Sequence, residues 1–470
     1  MALAPPAPRT VPPFAELWDA DLGSSNPIDF DGYRAPAPDD ESVRTGLVGT
    51  VTGPLAVIEC RFADHGGTMG VVAGERIVRA YRRAIERRLP VAALVASGGV
   101  RLQEGMVALT QMARTSTAVL RHREAGLMTA AVLRSPTTGG VYASWASLGD
   151  VVAAEPGATI GFAGPRVVEQ VTGSRPPADS HTAESAFGHG RLDALTPPEE
   201  QWPWLCAALL GPGQPMPASL RRPDRRPVPA DAWEVVRRAR RADRPSGLEW
   251  AAWICDGWTE LRGADPAVRA GLAAIGAQRV VVVALDRHAF DDAAARQRPA
   301  GYRLAQRAFA LAARLRIPVL TLIDTPGAEP GPQAEADGIA GEIAETLLAM
   351  AALPVPAVAL CVGEGGSGGA MAFAHADRLL MLSGAVFSVI GPEAGAAILY
   401  RDPAPAPRLA RSLRLTAPDL HRLGIVDEVI EETASDSVRR VREAVAAALR
   451  DAEPGDRETR TARVARQSLI

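Results

Sequence analysis

The sequence predicts two α/β domains in tandem, the second a repeat of the first. Three observations carry this reading. Short apolar runs alternate with amphipathic stretches, the pattern of strands and crossover helices. Glycine-rich turns follow consecutive strand candidates at the same interval in both halves. The 470 residues are enough for two ordinary cores.

In chain order, residues 1–45, rich in Pro, Ala and Asp, read as an irregular N-terminal arm. A first domain spans 46–207. Val57–Phe62 is a strand candidate, and Glu75–Arg88 reads as a helix with Ile77, Val78, Tyr81, Ala84 and Ile85 on one face. Val91–Ala96 is short and almost wholly apolar, as for a strand covered on both faces. Residues 208–247, dense in Pro and Arg, read as a linker. The second domain spans 248–450, with strands at Arg279–Asp286, Pro318–Asp324 and Pro356–Val362 and a helix near Tyr302–Arg314; 451–470 reads as a polar tail.

The repeat rests on four matches in one order. Strands run into Ser97-Gly98-Gly99 and Thr138-Gly139-Gly140, then into Thr325-Pro326-Gly327 and Ser367-Gly368-Gly369. Gly98 to Gly139 and Gly327 to Gly368 both span 41 residues. Gly164-Pro165 answers Gly391-Pro392, and HGRLDAL (189–195) answers LGIVDEV (423–429).

Composition removes several functions. A net charge of −3 offers no footprint for a nucleic-acid backbone, and the longest apolar runs are strand-sized, so no membrane span is expected. Four scattered cysteines without C-x-x-C spacing oppose a zinc ribbon or a disulfide framework and fit a reducing cytoplasm. The N-terminus has one Arg among prolines and no apolar core segment, so no secretory signal is expected. All 51 basic residues are arginine. Without lysine there is no Schiff base, no Walker A loop and no biotinylation site. That disposes of a GTPase reading of Asp324-Thr-Pro-Gly327. Gly363, Gly365 and Gly368 fit a dinucleotide fingerprint, but Asp377 precedes the strand where the ribose-binding acid should follow. None of His65, His122, His181, His189, His288, His375 and His421 has a partner at metal-ligand spacing, so no metal is expected.

Glycine turns that open helices let a ligand approach N–H groups at a positive dipole end, and paired amides there make an oxyanion hole. The candidates are Gly139/Gly140 and Gly368/Gly369/Ala370; the plainer reading is tight strand–helix packing. At these residues the sequence resembles a known family. SGGVRLQEGMVALTQMARTS, PTTGGVYASWASLGD and EPGATIGFAGPRVVEQ resemble the β carboxyltransferase subunit of bacterial acetyl-CoA carboxylase. RPAGYRLAQRAFALAARLRIPVLTLIDTPGAEPG, GEGGSGGAMAF and SVIGPEAGAAIL resemble its α subunit. The likeness runs from about residue 15 to 432, in the order of single-chain acyl-CoA carboxyltransferases.

The resemblance implies two tandem crotonase-like domains and transfer of a carboxyl group from biotin, on a separate carrier protein, to the α-carbon of a short acyl-CoA. It implies a thioester oxygen at Gly139 and Gly140 and a biotin carbonyl at Gly369 and Ala370, beside Gly368. On the acyl-CoA side it places Gly98, Gly99, Arg101, Gly164, Pro165 and the acyl-length position Ala372; on the biotin side, Gly327, Gly365 and Gly366. Arg101 with Glu104 could equally be an ion pair at spacing three. A homodimer, with each site between the first half of one protomer and the second of another, is also implied. The zinc ribbon of the bacterial β subunit is missing, and VALDRHAF replaces a Gly-rich stretch of the α subunit. GGVRLQE also resembles the β subunit of biotin-independent malonate decarboxylase. A decarboxylase of malonyl-type thioesters, or a non-catalytic subunit of a carboxylase complex, is the alternative. A hydratase on Glu104 and Glu364 lacks anything that aligns them.

Overall fold

The computed structural model describes residues 11–211, 213–216, 221–290 and 294–467. The chain divides into two compact units, Met1–Gly211 and Pro212–Ile470.

In the first unit the strands are β1 (Glu16–Trp18), β2 (Val43–Thr50), β3 (Gly53–Cys60), β4 (Val91–Ser97), β5 (Thr129–Thr138), β6 (Val151–Ala154), β7 (Ile160–Gly161) and β8 (Ala194–Leu195). They form one sheet in the order β1-β2-β3-β4-β5-β6-β8, with β7 on the end of β5. From β3 onward the pairing is parallel. Every residue of β4 is buried, as its unbroken apolar run requires of a strand covered on both faces. Helix α1 (Val71–Glu86) turns Ile77, Ala80, Tyr81 and Ala84 inward, and α2 (Gln111–Glu124) packs beside it. The structure starts α1 a turn before Glu75. The Glu104 carboxylate accepts the Val71 N–H at 2.6 Å, a cap supplied from 33 residues away.

The second unit repeats this order with β9 (Gly257–Leu261), β10 (Val268–Ile275), β11 (Gln278–Leu285), β12 (Val319–Thr325), β13 (Ala357–Gly366), β14 (Arg378–Leu382), β15 (Val386–Ser388) and β16 (Glu428–Ile430). The sheet runs β9-β10-β11-β12-β13-β14-β16, with β15 on the end of β13. That pairing carries β13 past Val362 to Gly366.

The two units match in detail. In each, the parallel register slips at the end of a strand, between Val95 and Ser97 and between Ile323 and Thr325. Asp193 accepts the N–H of Val152 at 2.8 Å, and Asp427 accepts that of Leu379 at 2.7 Å, so the HGRLDAL–LGIVDEV match is structural. The repeat is one residue off the expected alignment: Gly99 answers Gly327, Gly139 answers Ser367, and Gly140 answers Gly368.

Three expected segments are more ordered than their composition suggested. In the arm, β1 pairs with β2, Trp18 is buried, and Arg76 is held by the carbonyls of Ala20, Leu22 and Pro38. The stretch read as a linker folds onto the second unit. It carries α3 (Ala232–Ala239), capped by Asp231, and its Arg244 is fully buried on Glu432 at 2.9 Å. In the tail, Asp456–Gln467 is a helix whose Arg457 is fully buried against Asp377 at 2.6 Å. Single apolar contacts such as Trp18, Val235 and Val236 and long-range partners of buried arginines fix these segments, so long apolar runs could not locate them. Residues 1–10, 212, 217–220 and 468–470 of these three segments lie outside the described residues.

Candidate active site

In the first unit, β4 ends in a turn whose Ser97 hydroxyl accepts the Gly99 N–H at 3.0 Å. Gly99 has φ +112°, a conformation side chains rarely adopt. A Cβ on Gly99 would stand 3.2 Å from Gly139 Cα and 3.4 Å from Gly140 N. The turns after β4 and β5 therefore meet backbone to backbone. Gly139 and Gly140 open a four-residue helix, Gly139–Tyr142. Gly139 donates its N–H to Phe162 C=O at 3.0 Å, which removes it from the expected oxyanion pair and leaves Gly140 at that position.

Arg101 is not placed to meet a ligand. It is 2% exposed, bound to Glu41 at 2.6 Å and Glu104 at 3.1 Å, with Tyr33 hydroxyl donating to Glu104 at 2.7 Å. The ion-pair alternative holds, and the partner from the arm was not foreseen. Gly98 is exposed beside the turn, while Gly164 and Pro165 begin a helix, Pro165–Thr172, downstream of it.

The second unit builds the same turn. Thr325 hydroxyl accepts the Gly327 N–H at 3.0 Å, and Gly327 has φ +124°. Ser367, at φ +55°, opens the eight-residue helix Ser367–Ala374. Gly368 and Gly369 lie among its first N–H groups, which have no partner inside the helix. Ala370 is the first residue whose fourth-previous carbonyl, Gly366, belongs to the cap, and its side chain is buried, so it stands deeper than expected. A cavity of about 770 Å³ opens on this turn, lined by Gly327, Ser367, Gly368 and Gly369 and by Arg240, Arg287, Arg296 and Glu364.

Two further expectations change. Gly365 and Gly366 are buried packing positions: a Cβ would fall 2.3 Å from the Phe387 ring and 2.2 Å from Pro326 C=O. Ala372 is fully buried inside its own unit; the neighbouring Met371 is exposed and lines an apolar pocket with Phe387 and Leu420 that shares Ser367 and Gly368 with the cavity.

Sequence reasoning met Glu364 and Asp324 only in readings it set aside, and missed the arginines of this cavity. Arg240 holds Glu364 at 2.7 Å and Glu393 at 2.7 Å. Arg287 reaches Asp324 at 3.0 Å, and Asp324 also accepts the Glu364 N–H at 3.0 Å. Burial pushes the Asp324 carboxyl above its ordinary range, against the pull of Arg287. The signal lay in Arg240, inside an arginine-rich run that reads as solvated linker.

The description "Carboxyl transferase domain" matches residues 31–191, and "Acetyl co-enzyme A carboxylase carboxyltransferase-like" matches 229–460. The chain is 46% identical over 425 residues to the acetyl-coenzyme A carboxylase carboxyl transferase subunits beta/alpha of Salinispora arenicola (strain CNS-205). The match covers 84% of this chain and 75% of that protein. The chain belongs to the acetyl-CoA carboxylase carboxyltransferase family. Like those relatives, this carboxyltransferase places a β-like half before an α-like half. It is 37% identical over 428 residues to a probable biotin-dependent acyl-coenzyme A carboxylase beta3 subunit of Mycobacterium bovis, covering 88% of this chain and 86% of that one. Among solved structures, transcarboxylase 12S with methylmalonyl-coenzyme A and methylmalonic acid bound shares the carboxyltransferase's fold. Its TM-score is 0.75 at 21% identity, over 93% of this chain and 86% of that one.

Proposed function

We propose that this carboxyltransferase moves a carboxyl group from biotin, borne on a separate carrier protein, to the α-carbon of a short acyl-CoA, acetyl-CoA or propionyl-CoA. The observation that carries the reading is the doubled glycine turn, one per unit, each ending at a helix N-terminus. The second-unit turn fits biotin's urea carbonyl. Beyond its chain neighbours and its own helix backbone, no atom of the described residues lies within 4 Å of a Cβ built on Gly368, which leaves room at this helix N-terminus for an acceptor oxygen. Biotin, when bound, supplies the activated carboxyl group and the base for the α-proton. The chain then has two tasks, both done by main chain. Gly140 N–H stabilises the oxygen of the thioester as negative charge builds on it, and the N–H groups of Gly368 and Gly369 hold the urea oxygen. Gly98 and Gly99, with Gly164-Pro165 downstream, border the acyl-CoA; Gly327 borders the biotin.

Because the chain has no lysine, the carrier is another protein. Transcarboxylase 12S is described as a hexamer assembly, and we expect a homodimer or larger homo-oligomer here. Four unpaired cysteines suit a reducing cytoplasm, where we place the protein; among the described residues no helix is long and apolar enough to cross a membrane.

The test is the reverse reaction. Malonyl-CoA with free biotin is expected to give acetyl-CoA and carboxylated biotin, with acetyl-CoA release depending on biotin. Equal release without biotin would make the protein a decarboxylase; no turnover with any acyl-CoA would make it a non-catalytic subunit. A forward assay with the biotinylated carrier over acetyl-, propionyl- and longer acyl-CoAs then sets the substrate.

A further inference from the structure

The two units offer an internal control for what a buried charge is for. Positions in their turns correspond at 228 residues, from Ser97 to Thr325 and from Gly140 to Gly368. At that interval Asp324 answers Ala96 and Glu364 answers Pro136. The first unit builds the same bulge, hydroxyl–amide bond and positive-φ glycine without either carboxylate. Neither is needed to make the turn.

Both are nonetheless costly to bury. Asp324 is fully buried and Glu364 is 6% exposed. A Cβ on Gly363 would fall 2.1 Å from the Asp324 carboxylate, so glycine is required there to admit it. Glu364 is gripped through both oxygens by Arg240, whose Nε lies 3.0 and 3.1 Å from them. The same guanidinium reaches Glu393, in the first turn of the helix Pro392–Tyr400. Arg240 thus joins the end of β13 to the start of the helix Pro392–Tyr400, on the wall of the cavity that Gly368 and Gly369 face.

We propose that Arg240 is a positioning residue for the second-unit oxyanion turn, acting through Glu364. A fork held on both carboxylate oxygens fixes direction as well as distance. Glu364 is three residues before Ser367, so this grip sets where the Gly368 and Gly369 amides point.

The test has two arms; the kinetic one rests on the function proposed above and the exchange one does not. In hydrogen–deuterium exchange of the full chain, R240M is expected to speed exchange of a 363–371 peptide about tenfold, leaving a 95–103 peptide unchanged. In the malonyl-CoA assay R240M is expected to raise the KM for free biotin roughly tenfold, with the KM for malonyl-CoA within about twofold. R240K, which keeps the charge and loses the fork, should fall between. R442M removes a partly exposed arginine that binds Asp256 at 2.6 Å, and controls for lost stability alone. The proposal is overturned if R240M leaves the 363–371 peptide unchanged, or if both KM values rise together as in R442M. Absence of biotin-dependent turnover in the wild type would sink the function instead, and the exchange arm would still decide on Arg240.

Discussion

Each unit buries an arginine–carboxylate network beside its glycine turn, and each network recruits a stretch whose composition reads as arm or linker. The polarity is reversed. In the first unit the arginine belongs to the turn, as Arg101, and the irregular arm supplies Glu41 and Tyr33. In the second the carboxylate belongs to the turn, as Glu364, and the stretch before the sheet supplies Arg240. The first network is sealed, with Arg101, Glu41 and Glu104 at most 2% exposed, whereas the second lines a cavity. One backbone device has thus been mounted on two different supports. The turn itself is a matter of glycine and main chain; the supports are where the halves have diverged.

The comparison breaks most severely at the glycines both turns share. Gly99 and Gly327 have φ of +112° and +124°, and a Cβ at either would press on the facing turn. G99A and G327A should each lower kcat by about 10²–10³, the loss expected when one oxyanion donor is displaced. Far-ultraviolet circular dichroism should stay unchanged. Saturation curves separate the two, with G99A moving the response to acyl-CoA and G327A the response to biotin. Identical changes in both curves for both variants would show that the turns do not serve separate ligands.

Much of this fold is legible in the sequence. The order of strands, the two turns and the internal match survive because glycine at fixed intervals after apolar runs is a local signal. The one-residue slip in the repeat was not legible, because Ser367 takes a left-handed conformation where the first unit has Gly139, and identity of residues hid identity of conformation. Gly139 reads as a free donor because its acceptor, Phe162 C=O, sits in a later loop. Arg101 reads as a residue of the acyl-CoA side because its partner Glu41 lies 60 residues earlier in a proline-rich arm. Arg240 and Glu364 are 124 residues apart. Long-range ion pairs leave no periodicity, so the supports of the site stayed hidden while its backbone did not.

A second test concerns sealed against open. E104A leaves Arg101 on Glu41 but takes the acceptor from the Tyr33 hydroxyl and the Val71 N–H where water is excluded, and should destabilise the first unit by roughly 2–4 kcal/mol. E364A leaves Arg240 able to keep Glu393 and to meet water in the cavity, so the cost there should be about 1–2 kcal/mol. Urea unfolding followed by hydrogen exchange within each unit measures both. Equal losses would mean that the cavity does not wet the second network.

The smallest effect, and the sharpest in sign, is the response to pH. Burial pushes the Glu41 carboxyl upward, but the hydrogen bonds and charge of Arg101, helped by Ser42, outweigh it and hold the group below its ordinary value of 4.5. The unfolded chain therefore takes up the proton first as pH falls, and stability from Glu41 is present above 4.5 and lost below it. Asp324 works the other way. Burial dominates and raises its carboxyl above the ordinary 3.8, so the native state holds the proton more tightly than the unfolded chain does. Its contribution is full below 3.8 and lost as pH rises through the raised value. Between about pH 4 and pH 7, D324N should gain on the wild type in the second unit as pH rises. E41Q should fall further behind the wild type in the first unit over the same rise, the two converging in acid. Unit-resolved exchange is the right probe, because two units need not unfold as one. Gaps that move in the same direction for both variants would show that the two supports, one built on a paired carboxylate and one on a buried acid, are electrostatically alike after all.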